Sequence, residues 1–317
     1  MNEVSLKQVI ENLRNEDTRW DAILELKIHG SSTWVEPLIK LLDDPDWVVR
    51  WCVAEKLGDL ADSRAVKPLG EALSDKDVHV RKSAEKALER FGSRCISELI
   101  KRYNYPDPRV RKSITKIICS MGHAIIPNLE QELPENDWIL ANSIVTLMWC
   151  VGGPKAEDAL IRSLKNRAAQ KSILPLLASL HSKRCVPHLL KVFDKPSMRR
   201  MVLNTLKRIG EETSYPIIIN LVSSGSSLLS HRAEEVVAKI GENALPYMIR
   251  ALSKNGSNKF RLVALIRQIG PEKVINSIHR LAEKDPEIKT LTKDIRFKFR
   301  YNPDQDKKDR GLLGLFR

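Results

Sequence analysis

Apolar and polar positions along this chain recur in units of two short helices. Residues 63–92, SRAVKPLGEALSDKDVHVRKSAEKALERFG, show the unit plainly. Val66, Leu69 and Leu73 share one side of a first helix, and residues 74–77 make a polar turn that ends in an N-capping aspartate. Val80, Ala84, Ala87, Leu88 and Phe91 then return at helical spacing. They predict a second helix over 78–91, which Gly92 stops.

The unit runs on through the chain. One position of the second helix falls at Arg19, Arg50, Arg81, Arg111, Ala141, Gln170, Arg199, Ser230 and Lys259, at intervals of 29–31 residues. Eleven residues further on stand Gly30, Ala61, Gly92, Gly122, Gly152, His181, Gly210, Gly241 and Gly270. A fixed period of this length predicts a solenoid, because one helix pair cannot bury its apolar face without a neighbour. The expectation is one all-α solenoid of about ten helix pairs over residues 1–299. A polar linker and an apolar tip, GLLGLFR, then occupy 300–317. The tip reads as a terminus, a cap on the last pair, a short docking motif or, least of these, a segment that grazes a membrane surface. At 317 residues the chain exceeds the usual limit of one core, a limit that a fold growing in one dimension escapes.

The frame A-V-x-P-L-x-x-x-L…D-x-x-V-R-x-x-A-x-x-A-L…G recurs as DPDWVVRWCVAEKL (44–57), DPRVRKSITKIICSMG (107–122) and PSMRRMVLNTLKRIG (196–210). It resembles the HEAT-like repeats named after phycobilisome lyases. The resemblance covers roughly residues 1–297 and is strongest over 33–122. It implies a right-handed α-solenoid with first helices outside and second helices lining a concave side. Such repeats serve many scaffolds and a few enzymes, so the resemblance bears on fold more than on function.

Four residues before the row position lie Asp46, Asp77, Asp107 and Asp137, with Asn166 following. Their repetition predicts a structural ladder in which each aspartate caps its helix and accepts from arginines of its own or the next unit. A metal site at DPD (44–46) or DKD (75–77) is the rival reading, and repetition argues against it. Past residue 194 the row lapses to Lys195, Ser226 and Asn255, so the C-terminal repeats are expected to be less regular and less rigid.

Counted from the arginine row, apolar residues dominate at −1, +3, +6, +7 and +10, one arc at 100° per residue. Position +1 lies nearly opposite that arc and reads Trp20, Trp51, Lys82, Lys112, Asn142, Lys171, Arg200, His231 and Phe260. Two tryptophans followed by a mostly basic row make a candidate partner-binding surface, aromatic at one end and attractive to acidic groups beyond. Glu55, Glu85, Glu89, Glu234 and Glu235 share that side, so a solvated face of mixed charge is the competing reading. Trp34, Trp47, Trp138 and Trp149 are expected in the core.

Charge sharpens the picture. The net value of +13 is spread unevenly: residues 1–62 carry 7 basic and 13 acidic side chains, whereas residues 154–241 come to +8 and 242–317 to +8. The basic half makes nucleic-acid binding the alternative to a protein partner with an acidic surface. No run approaches a membrane span, and the opening MNEVSLKQVIENLRNEDTRW is acidic and amphipathic rather than signal-like. Membrane contact is therefore not expected. Five cysteines without CxxC spacing fit a reducing, cytoplasmic setting.

Catalytic chemistry finds little support. His181, Cys185 and His188 straddle the join of two repeats with no evident fourth metal ligand. Deoxyhypusine hydroxylase, a di-iron enzyme built of the same repeats, draws its ligands from His-Glu dipeptides. None of the seven histidines here precedes a glutamate, which excludes that activity. Lyase-like chromophore chemistry and DNA-glycosylase chemistry, for which Asp137 and Trp138 invite comparison, rest on the shared repeat alone. The expectation is a non-enzymatic scaffold without cofactor or metal.

Overall fold

The computed structural model describes residues 6–223, 228–253 and 259–283. The linker and GLLGLFR tip, residues 224–227, the Asn255-Gly256-Ser257 stretch and the Phe260 side chain lie outside the described residues. The fold is an all-α solenoid, and the described residues contain no strand. It divides into two compact units, Met1–Ser172 and Ile173–Arg317, with the division inside one helix.

In the N-terminal unit the first and second helices alternate. The pairs are α1 (Leu6–Arg14) with α2 (Arg19–Ile28), α3 (Val35–Lys40) with α4 (Trp47–Leu60), and α5 (Val66–Ala72) with α6 (Val78–Phe91). They continue with α7 (Ile96–Tyr103) and α8 (Pro108–Ser120), then α9 (Ile126–Gln131) and α10 (Trp138–Val151); α11 (Gly153–Ser163) follows, and α12 (Gln170–Ser179) contains the division between the units. The second helices α2, α4, α6, α8 and α10 pack side by side, and the first helices α5 and α7, then α9 and α11, do the same. In the C-terminal unit, α13 (Val186–Phe193), α14 (Pro196–Ile209), α15 (Glu211–Ser223), α16 (Leu228–Ile240), α17 (Leu245–Ser253), α18 (Lys259–Ile269) and α19 (Pro271–Ala282) continue the alternation.

Each α4-type helix forms where an aspartate ends the turn. Asp46 accepts from Val48 N, Asp77 from His79 N and Val80 N, Asp107 from Arg109 N, and Asp137 from Ile139 N and Leu140 N, satisfying first-turn donors. The core is drawn from the predicted arc: Val80, Ala84, Ala87, Leu88 and Phe91 of α6 are buried, as are Val110, Ile114, Ile117 and Ile118 of α8. The tryptophans depart from expectation. None is buried: Trp47 and Trp138 are exposed, and Trp34 and Trp149 are half-buried. Trp47 and Trp138 each follow the capping aspartate directly, and that first helical position points outward before the helix turns its apolar arc to the core. Trp47 instead stacks on His79 of the next repeat, ring centroids 5.3 Å apart.

The closing position carries the backbone strain. Gly92, Gly122, Gly152, Gly210, Gly241 and Gly270 have positive φ, and so do Ala61 and His181, which occupy the same place in their repeats. A side chain at φ +50° costs about 1–2 kcal/mol in the left-handed region. Ala61→Gly is therefore expected to raise stability by about 0.5–1 kcal/mol, the gain being trimmed by glycine's extra freedom when unfolded. A urea midpoint that falls in Ala61→Gly would contradict this.

Candidate functional site

The ladder residues come together in a different pattern from the simple Asp–Arg alternation. The row side chain reaches back six residues to a main-chain carbonyl at the end of the first helix or its turn. Arg19 donates to Leu13 O (2.9 Å), Arg50 to Asp44 O (2.7 Å), Arg81 to Asp75 O (2.6 Å) and Arg111 to Tyr105 O (3.0 Å). Gln170, at the same position, donates to Leu164 O at 2.7 Å. A long donor at this place closes carbonyls that the first helix leaves open.

Carboxylate partners vary by rung. Arg19 meets Asp46 at 2.5 Å, across repeats. Arg50 meets Asp75, not Asp77, through Nε at 2.8 Å and Nη2 at 3.0 Å, and the pair is nearly closed to solvent, with side-chain exposures of 5% and 11%. Asp107 is forked by Arg109 of its own helix, and Asp137 serves as a cap. Asp44 accepts from Asp46 N at 3.0 Å and Arg14 at 2.6 Å, and Asp75 accepts from Asp77 N at 2.7 Å. The carboxylates of DPD and DKD are thus engaged by main-chain donors and arginines. Among the described residues no group of three or more His, Cys, Asp and Glu side chains is arranged to hold a metal. Cys185 is buried with its thiol on Ser182 O, while His181 and His188 are exposed.

The +1 row of the N-terminal unit is open to solvent at Trp20, Lys82, Lys112 and Lys171, and Trp51 is half-buried. Two residues that the sequence reading passed over extend it. Leu24 and Ile28 follow Trp20 at spacings of four, and the three are 57%, 75% and 69% exposed respectively. The signal was available: +1, +5 and +9 lie on one side of a helix, and only in α2 are all three apolar. On α4 the same stripe is Trp51, Glu55 and Asp59, and on α6 it is Lys82, Lys86 and Arg90. Glu85 is engaged by Ser113 (2.5 Å) and Lys116 (2.7 Å) of the next repeat, and that hydrogen bond and charge raise the Lys116 ammonium pKa above its usual value. Asp59 is engaged by Arg90 at 2.5 Å. Lys82, Lys86 and Lys112 remain as unpaired cations among the described residues.

In the C-terminal unit Arg200 and His231 are exposed. His231 stands 3.7 Å from Glu234 and 3.8 Å from Glu235, so its surroundings are acidic rather than basic. A cleft of about 380 Å³ opens beside Arg200, against Phe193, Arg199, Leu203 and Lys239.

These features define the class: a helical-repeat protein of the solenoid type, whose second helices carry solvent-exposed residues along the +1 row. Residues 4–89 match the family model for HEAT repeats. No curated protein matches the chain. Among solved structures, the chain is similar to the CpcE–CpcF complex of phycocyanin lyase from Nostoc sp. PCC7120, with 18% identity, 74% of this chain and 94% of that one covered, and a TM-score of 0.32. It is also similar to human deoxyhypusine hydroxylase in complex with glycerol, with 16% identity, 83% and 93% covered, and a TM-score of 0.31. Identities and scores this low carry no inference about activity. No helix among the described residues is long and apolar enough to cross a membrane.

Proposed function

We propose that this protein is a scaffold that binds a protein partner on its second-helix face. The observation that carries the reading is the exposed Trp20–Leu24–Ile28 stripe, an apolar patch on a helix whose opposite side already fills the core. Exposed apolar surface of this kind marks an interaction site. Trp51 continues it, and Lys82 and Lys112 then offer charges to an acidic partner. Lys171 and Arg200 are the further cations of the row, and HEAT repeats suit such a role.

The test is affinity capture with the full chain, with and without nuclease, against a Trp20→Ala/Leu24→Ala variant. Both side chains are exposed, so the variant is expected to keep its stability within about 0.5 kcal/mol. Proteins that survive nuclease and disappear with the variant support the scaffold. Partners that vanish with nuclease, and whose retention falls steeply with salt, transfer the function to nucleic-acid binding by the basic half.

A further inference from the structure

We propose that the cleft between α14 and α16 is an acidic-peptide site. A partner's carboxylates would meet Arg200 and Lys239 while an adjoining apolar side chain rests on Pro196 and Leu203. The proposal rests on the scaffold reading and says where, and by what chemistry, the partner is held.

The cleft arises from a change in packing. In the N-terminal unit α4, α6 and α8 stack directly on one another. In the C-terminal unit α16 packs on α15 and α13, and the space beside α14 stays open, enclosing about 380 Å³. That volume suits one or two side chains and is too small for a folded domain. Arg232 of α16 pairs with Asp194, at the end of α13, which ties α16 to the α13 side of the cleft.

The lining divides into two parts. Pro196 and Leu203, above the buried Phe193, supply the apolar part, and Arg199, Arg200 and Lys239 the cationic one. Arg199 is already placed. Its guanidinium lies 5.4 Å from the Phe193 ring centroid and 3.6 Å from Glu235, and its Nε is enclosed without an acceptor. Glu235 is held between Arg199 and His231, at 3.6 and 3.8 Å. Arg200 and Lys239 are exposed and form no ion pair among the described residues. Two cations on different helices, separated by an apolar floor, match two carboxylates on either side of an apolar residue.

A phosphate fits less well. An oxyanion site at a helix start draws on free main-chain N–H groups, but in α14 Pro196 has none and Met198 N is taken by Lys195 O at 2.9 Å.

The experiment measures binding of a fluorescein-labelled Glu-Glu-Phe-Glu-Glu peptide to the full chain by anisotropy. Its comparisons are the Gln-Gln-Phe-Gln-Gln, Glu-Glu-Ala-Glu-Glu and phosphoserine-for-glutamate counterparts. The expected result is saturable binding of the acidic peptide, weakened by the alanine counterpart and absent with glutamines. Arg200→Glu/Lys239→Glu should weaken it at least about tenfold. Lys183→Glu/Lys191→Glu makes the same charge change on exposed residues outside the cleft and should cost less than about threefold. Should charge reversal unfold the chain, Arg200→Gln/Lys239→Gln carries the same test. Equal losses in the two double variants, or no binding to the unmodified chain, would overturn the cleft assignment. A phosphoserine peptide that binds tenfold tighter would overturn it in favour of phosphate recognition. If peptide binding fails while capture through Trp20 and Leu24 persists, the cleft falls and the scaffold stands. If capture fails while the peptide binds, the reverse holds.

Discussion

Asp75→Ala is expected to destabilise the N-terminal unit by about 3 kcal/mol at neutral pH, because it strands a buried guanidinium. Arg50 is nearly closed to solvent and spends Nε and Nη2 on Asp75, keeping Nη1 for the carbonyls of Asp44 and Pro45. Truncating Asp75 also frees Asp77 N, which it accepts at 2.7 Å. Asp77→Ala removes only a helix cap and should cost about 1 kcal/mol. Tryptophan fluorescence during urea unfolding reads this unit selectively, since all six tryptophans lie between Trp20 and Trp149. Equal losses in the two variants would show that the Arg50–Asp75 pair adds nothing beyond capping.

The same pair sets a pH dependence. Burial alone would raise the Asp75 carboxyl, but the Arg50 hydrogen bond, Asp77 N–H and Arg50 charge outweigh it and hold its pKa below the ordinary value. A depressed folded pKa means that the unfolded chain binds the proton more readily. The stabilisation is therefore present above the unfolded pKa, about 4, and is lost as pH falls through the folded value. The gap between unmodified chain and Asp75→Ala should narrow below about pH 4. A constant gap down to pH 2 would contradict the assignment.

The contrast between Asp75 and Asp77 also marks how far the sequence could be read. Helix boundaries, caps and core positions were legible because each rests on local rules repeated at a fixed period. The capping aspartates and the positive-φ glycine positions are of this kind. Which aspartate meets Arg50 depends on the reach of one side chain across a repeat junction, and DKD offers two candidates that periodicity cannot separate. The tryptophans failed for a related reason. Composition assigns large aromatics to the core, but Trp47 and Trp138 follow a cap and face outward, with Trp138 68% exposed. For the candidate surface, the +1 row was legible from angle alone. Leu24 and Ile28 needed the further step of reading +5 and +9 together. The cleft beside Arg200 was not legible, because it comes from a change in which helix α16 packs against.

Gly58→Ala is expected to cost about 2 kcal/mol, although alanine is the better helix former by about 1 kcal/mol. Gly58 lies within α4, where an added Cβ would come 2.6 Å from Ala87 Cβ and 2.7 Å from Ala87 Cα of α6. The second atom is backbone, so no rotamer relieves the clash. The two helices must separate and loosen the α4–α6 packing, to which they contribute the buried Val53, Leu57, Ala84 and Leu88. Gly70 provides the comparison. A Cβ there would meet Arg102 Nε at 2.9 Å and Cδ at 3.0 Å, atoms far along a flexible side chain. Gly70→Ala should cost less, about 1 kcal/mol, as Arg102 swings aside and gives up its pairs with Glu98 and Glu71 while the helix gains propensity. Ala87→Gly made together with Gly58→Ala should restore part of the loss. It removes the opposing methyl, but the α6 backbone stays in the way and the new glycine costs about 1 kcal/mol of propensity there. Thermal melts of the four chains test the set. A Gly58→Ala variant at least as stable as the unmodified chain would mean that α4 and α6 are free to part at this crossing.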